Sequence, residues 1–255
     1  MRWPHRRTPP VATTTLPAGV LQLASQLPNP PTLRRLCQGL AMLDAILAED
    51  PADRYFAFDT AWSPTEQLAA ADDGSGNSWS ITFTPHGAWL RGFDHESPMS
   101  PYTDPFDLDW LAAVPAPLRP AAAEVAFTDG DLPLLTLACW WLHHAPDHED
   151  SGSQPGGHDG EVTHEQGWHP VQLRSAVPAD LDDGSSWLLA ELDADPDVYR
   201  SFAADYYETD LQHQDVAHVL TLRPLTEELV HRLNPHRRLA DLAEDIASIG
   251  YPVTD

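Results

Sequence analysis

Trp79-Ser80-Ile81-Thr82-Phe83-Thr84-Pro85-His86-Gly87-Ala88-Trp89-Leu90-Arg91-Gly92-Phe93, running on into Asp94-His95-Glu96-Ser97-Pro98-Met99-Ser100-Pro101-Tyr102, is the stretch on which the fold turns. Trp79, Ile81 and Phe83 alternate with Ser78, Ser80, Thr82 and Thr84, the period of two expected of a strand with one face buried. Pro85-His86-Gly87 is a turn and Ala88 to Phe93 a second strand, so the segment reads as a hairpin. It carries the polar loop 94–102 to one end of a sheet.

Working outward toward the C-terminus, Asp104-Pro105 opens an expected helix bearing Phe106, Leu108, Trp110 and Leu111. Leu132 to Leu142 is apolar on both faces and reads as a central strand beside the hairpin. From His143 to Gln166 the pattern dissolves into His, Gly, Asp and Ser, read as a flexible excursion between strands. Short strands are expected at Val171 to Leu173, Trp187 to Leu192 and Val216 to Leu222. Helices are expected from Asp195-Pro196, from Thr226, and along Leu239, Leu242, Ile246 and Ile249, the last closed by Gly250.

Toward the N-terminus, Asp72 to Asn77 is a loop, preceded by Ser63-Pro64-Thr65-Glu66, which has the form of a capping box and predicts a short helix through Ala71. Tyr55 to Phe58 is a strand. Leu33, Leu36, Leu40, Leu43 and Leu47 form one helical stripe, with Thr32 as the expected N-cap. Residues 1–31, rich in Pro and Thr with Val20 to Leu27 as a short helical turn, read as a disordered basic arm. Strands and helices interleave without βαβ regularity, so the expected fold class is α+β: a mixed or antiparallel sheet with a central hairpin, packed by several helices, in a single domain over 32–255.

The 255 residues hold no lysine, 14 arginines and 39 carboxylates, for a formal net charge of −25. Five of the arginines fall within residues 1–43, where there is no acid, so the rest of the chain is more acidic still. Such a surface repels phosphate backbones and anionic lipid and steers cationic partners inward. A basic protein partner is therefore expected, and no nucleic acid. No apolar run reaches the roughly 20 residues of a membrane span, and the first thirty residues lack the apolar stretch of a signal peptide. Cys37 and Cys139 sit in apolar surroundings far apart in sequence, as reduced buried thiols do, so the expected setting is cytoplasmic with no membrane association.

In the 94–102 loop, the expected binding residues are Asp94, His95, Glu96, Ser97, Ser100 and Tyr102, with Trp62 nearby. A catalytic reading would take His95 as general base, oriented by Asp59 or Asp94. In an extended segment Asp94 and Glu96 share a face and His95 takes the other, so the tripeptide alone is neither a triad nor a metal site. The competing structural reading makes Asp94 and Ser97 turn caps and seats Tyr102 against the core. The excursion's His164-Glu165-Gln166-Gly167-Trp168-His169 nearly matches a zinc-protease helix motif, but its histidines are five apart and fall on different helix faces. No metal and no cofactor is expected.

Two stretches, Phe93-Asp94-His95-Glu96-Ser97-Pro98-Met99-Ser100-Pro101-Tyr102 and the tail with Leu233-Asn234-Pro235 and Ile249-Gly250-Tyr251-Pro252, resemble an uncharacterised family of soluble, acidic bacterial proteins. The acidic α+β build also resembles immunity proteins that neutralise basic toxins. The resemblance implies a protein–protein interaction module of immunity or antitoxin type over residues 32–255. The alternative is a hydrolase, metal-assisted, using the 94–102 loop.

Overall fold

The computed structural model describes residues 13–143, 166–178 and 180–253. In chain order these form β1 (Thr13–Thr14), α1 (Ala18–Gln26), α2 (Pro30–Leu47), β2 (Phe56–Asp59), β3 (Gln67–Asp72), β4 (Ser78–Thr84) and β5 (Gly87–Phe93). There follow α3 (Arg119–Ala122), β6 (Thr128–Asp129), β7 (Leu132–Pro133), β8 (Leu137–Leu142), β9 (His169–Pro170) and β10 (Val177–Pro178). The chain then turns helical through α4 (Pro196–Tyr206), α5 (His213–Leu220), α6 (Glu227–Leu233) and α7 (Ala243–Ile249). The fold is α+β, as its sequence predicts, around a six-stranded antiparallel sheet in the order β2-β3-β4-β5-β8-β9. No described helix is long and apolar enough to cross a membrane.

The expected hairpin forms, with Trp79 opposite Gly92 and Phe83 opposite Ala88, and β8 pairs beside it with Leu90 opposite Cys139. Trp79, Ile81, Phe83, Ala88, Leu90, Leu137 and Cys139 face one core, shared with α2 and the C-terminal helices. The other face is not solvated as the alternation suggests. Trp89, Ala138 and Trp140 pack there with Met99, Val114, Leu118 and Val171 in a second core, so Ser80 and Thr82 are buried too. Arg91 lies on this face, 4.0 Å over the Phe127 ring, donating to the Leu134 carbonyl at 2.9 Å. Burial lowers its guanidinium to about 10.

Helix α2 is the element the first core is built on. Asn29, not Thr32, is its N-cap: the Asn29 side chain accepts from the Thr32 amide at 3.0 Å, and Pro30 takes the first turn. The helix is buried well beyond its leucine stripe because the sheet lies on one side and α5 on the other. At Gly39 the backbones approach so closely that a Cβ would lie 2.9 Å from Leu220 Cα.

Several elements differ from their sequence reading. Val216 to Leu222 is not a strand; Val216, Val219 and Leu220 fall on one face of α5, and burial against α2 outweighs their β-propensity. The Ser63–Glu66 capping box does not form: Ser63 Oγ donates to Glu66 Oε2 at 3.1 Å, the two backbones close a turn on each other, and the chain leads into β3 rather than a helix. Ala69 and Ala71 there fill the narrow space under α2 between β2 and β4. Asp104-Pro105 opens no helix; only a 3-10 turn at Trp110–Ala113 forms, capped by Asp109. Residues 187–192 are consecutive turns rather than a strand, and the ladder expected at Val171 to Leu173 ends at Pro170.

Residues 13–31 of the expected arm have a defined place in the fold. Thr14 pairs with Val177, Val20 is buried, and α1, which has no side-chain cap, gives its Val20 amide to Asp183 Oδ2 at 3.1 Å. Residues 1–12 and 144–165, which hold the N-terminal arginines and most of the histidine excursion, lie outside the described residues.

Candidate functional site

β5 ends at Phe93, beside the start of β4, and the loop that follows is fixed by its own side chains. Asp94 is buried: Oδ1 accepts from the Glu96 and Ser97 amides at 3.0 and 3.2 Å, and Oδ2 from Trp187 Nε1 at 3.2 Å. Ser97 Oγ donates to the Asp182 carbonyl at 2.7 Å and accepts from the Met99 amide at 3.0 Å. Ser100 is wholly buried, and its hydroxyl has no partner among the described residues. Asp94 and Ser97 hold the loop closed onto the 182–187 segment, which is the structural reading of both. They are not free to meet a ligand.

His95, Glu96 and Tyr102 are the exposed members of the set. His95 Nδ1 lies 2.8 Å from Asn77 Oδ1, which also accepts the His95 amide at 3.0 Å. Asn77 is itself oriented, because its amide nitrogen donates to Asp73 Oδ2 at 2.7 Å. Because Asn77 Oδ1 is the acceptor, His95 Nδ1 is the donor of this pair, and Nε2 lies 3.9 Å from Glu96 Oε1. Burial works against the Asp73 charge, but hydrogen bonds from Asn77 and Ser75 hold its carboxyl below the ordinary value. Tyr102 is not seated in the core. It is 57 % exposed, packs edge-on against Phe93, and donates to Asp129 Oδ2 at 2.8 Å, a bond that raises its phenol.

Asp59 and Trp62 lie elsewhere. Asp59 pairs with Leu68, which pairs with Thr82, which pairs with Trp89. His95 is six residues past Trp89, so at about 3.3 Å per residue the two are roughly 20 Å apart along the strands. Asp59 instead caps its own turn, accepting the Ala61 amide at 2.7 Å. Trp62 stacks on Phe127 at 6.1 Å over the second face. The expected acid–histidine pair is therefore not assembled by either Asp59 or Asp94.

The sheet end that carries this loop is acidic well beyond it. A recess of about 550 Å³ is walled by Asp73, Asp94, Glu96 and Asp182, with Trp187 at its side. The turns after Trp187 lead to Glu191 and a second recess of about 700 Å³ against α4, with Phe202 and Tyr206 as its floor. Tyr206 also borders a third recess, with Glu49 and Asp53. Tyr55, the residue before β2, packs edge-on against Tyr206 at 5.6 Å and places this aromatic ridge at the same sheet end. Sequence reasoning passed over Glu191 and Tyr206; the signal was the run Tyr206-Tyr207 amid acids, read only as part of a helix. Elsewhere, Asp195, Asp197 and His213 bring ligand atoms within 4.8 Å of one another, but Asp197 is already paired with Arg200 at 2.7 Å.

Comparison with protein-family models, with curated proteins and with solved structures finds no match.

Proposed function

We propose that the protein is an acidic interaction module that binds a basic protein partner through the sheet end where β2 and β4 begin and β3 and β5 finish. The observation that carries this reading is that, among the described residues, the three recesses there are lined by ten carboxylates and by no arginine, lysine or histidine. Like charges gathered on one surface repel one another, and a cationic partner relieves that repulsion while the field speeds its approach. Aromatic residues between the acids supply the apolar contact area that interface hot spots use. An immunity-type neutraliser of a basic toxin is the form of this function that the sequence resemblance suggests. The 94–102 loop contributes Glu96 and His95 at the rim, with Asp94, Ser97 and Ser100 as its support.

The test is the association rate with a basic protein recovered from the native host at low salt. The rate is expected to fall about tenfold or more as ionic strength rises from about 0.02 to 0.3 M, and to fall at low salt in the Asp73→Asn/Glu96→Gln double variant. A rate indifferent to salt and to both substitutions would overturn the proposal.

A further inference from the structure

The recess between the 190–191 turn and α4 has an aromatic floor and a carboxylate oxygen that is set back from water and, unlike those of the buried Asp94, left without a hydrogen-bond partner among the described residues. Phe202 and Tyr206 stack at 5.3 Å with 17° between their planes, and Tyr206 is 42 % exposed, the outermost ring of a cluster that includes Tyr55 and Tyr207. Glu191 stands across from them, and its Oε2 is shut off from solvent with no hydrogen-bond partner among the described residues. Asp197 is committed to Arg200 and Asp195 to capping α4, where it accepts the Asp197 amide at 3.0 Å. Glu191 and the exposed Asp205 are left as the acids of the recess with no cationic partner among the described residues. Burial raises the Glu191 carboxyl above its ordinary value, a cost that a bound cation removes.

A buried acceptor beside a flat aromatic face matches a guanidinium in particular. The group is planar, less strongly hydrated than an ammonium, stacks on aromatic rings, and presents donors along its edge to a carboxylate. We propose that this recess is the anchor for one arginine side chain of the partner, stacked on Tyr206 and Phe202 and hydrogen-bonded to Glu191. The inference rests on the basic-partner reading and names the contact that gives it specificity.

A fluorescein-labelled hexa-arginine peptide, with hexa-lysine and hexa-citrulline as comparators, tests it by fluorescence anisotropy at low salt on the full chain. Wild type is expected to bind hexa-arginine about threefold or more tightly than hexa-lysine, and to ignore hexa-citrulline. Glu191→Gln and Tyr206→Ala are each expected to weaken hexa-arginine binding roughly fivefold or more. Glu244→Gln, which removes the same charge from the exposed side of α7, is expected to change it less than about twofold. Glu191→Gln keeps the shape of the side chain, so it remains informative if Tyr206→Ala disturbs the aromatic cluster. If all variants bind hexa-arginine like wild type, or hexa-lysine binds equally well, the anchor is wrong while the basic-partner reading stands. If wild type binds neither cationic peptide, both fall.

Discussion

Asp94 is the residue at which support and function part. Its carboxylate satisfies two loop amides and the Trp187 indole, so Asp94→Ala is expected to destabilise the protein by about 2–3 kcal/mol in urea unfolding. His95→Ala, which removes a half-exposed ring, should cost under about 1 kcal/mol. Equal effects would mean that the loop is not held as described. Asp44 gives a pH-dependent case. Burial pushes its carboxyl up to about 6, although Tyr199 Oη donates to it at 2.6 Å and the Phe56 and Tyr55 amides at 2.7 and 2.9 Å. The ordinary value is 3.8, so between pH 6 and 4 the native state takes up a proton that the unfolded chain does not. This group's contribution to stability therefore rises as pH falls through 6, and is least above it. Asp44→Asn removes that proton uptake, so its destabilisation relative to wild type should grow by about 1 kcal/mol from pH 7 to 5. Carboxyls held low, such as Asp73, cancel in that comparison, and a gap constant with pH would contradict the assignment. The turn-capping roles of Asp94 and Ser97 were legible from Asp-x-x-Ser-Pro, but Asn77 as the partner of His95 was not, since the two are 18 positions apart.

Helix α2 owes its place to two glycines. Gly39→Ala puts a Cβ against the Leu220 backbone, and it is expected to cost about 1–3 kcal/mol despite the better helix propensity of alanine. Gly250 ends α7 in the left-handed region, at φ 67° and ψ 38°, and its carbonyl and that of Ile249 accept from Gln38 of α2. A Cβ there would also lie 2.8 Å from Thr60 Cγ2, so Gly250→Ala should cost about 1–2 kcal/mol in thermal or urea unfolding. Neutral effects would mean that α2 does not pack this closely against α5 and the end of α7. The Gly250 stop was readable from Ile-Gly-Tyr-Pro because a C-terminal glycine acts locally. The helix at α5 was not, because Val216 and Val219 favour a strand in isolation and burial against the surface of α2 overrides that preference.

At the scale of the molecule, charge and topology act separately. With a formal charge of −25, the native state carries self-repulsion that salt screens, so the melting temperature should rise by a few degrees between about 0.02 and 0.5 M sodium chloride. A fall would indicate that the ion pairs of Arg54 with Asp245 and Arg232 with Asp215 outweigh the repulsion. The sequence by itself determined the hairpin, the Leu137–Leu142 half of the strand read over Leu132 to Leu142, the helices begun by Asp195 and Thr226, and the acidic surface; Leu132–Pro133 pairs instead with Thr128–Asp129. Each of these follows from a period, a cap or a composition that a short window contains. Only the tertiary structure decided that both faces of the sheet are covered, that Ala69 and Ala71 belong to a strand, and that Asp59 stands far from His95. It also decided that Glu191 and Tyr206 share a recess. Those outcomes depend on surfaces supplied from distant parts of the chain, as Asp183 supplies the acceptor for the Val20 amide 163 positions away. Local propensity is worth tenths of a kcal/mol per residue, and burial against such a surface is worth more.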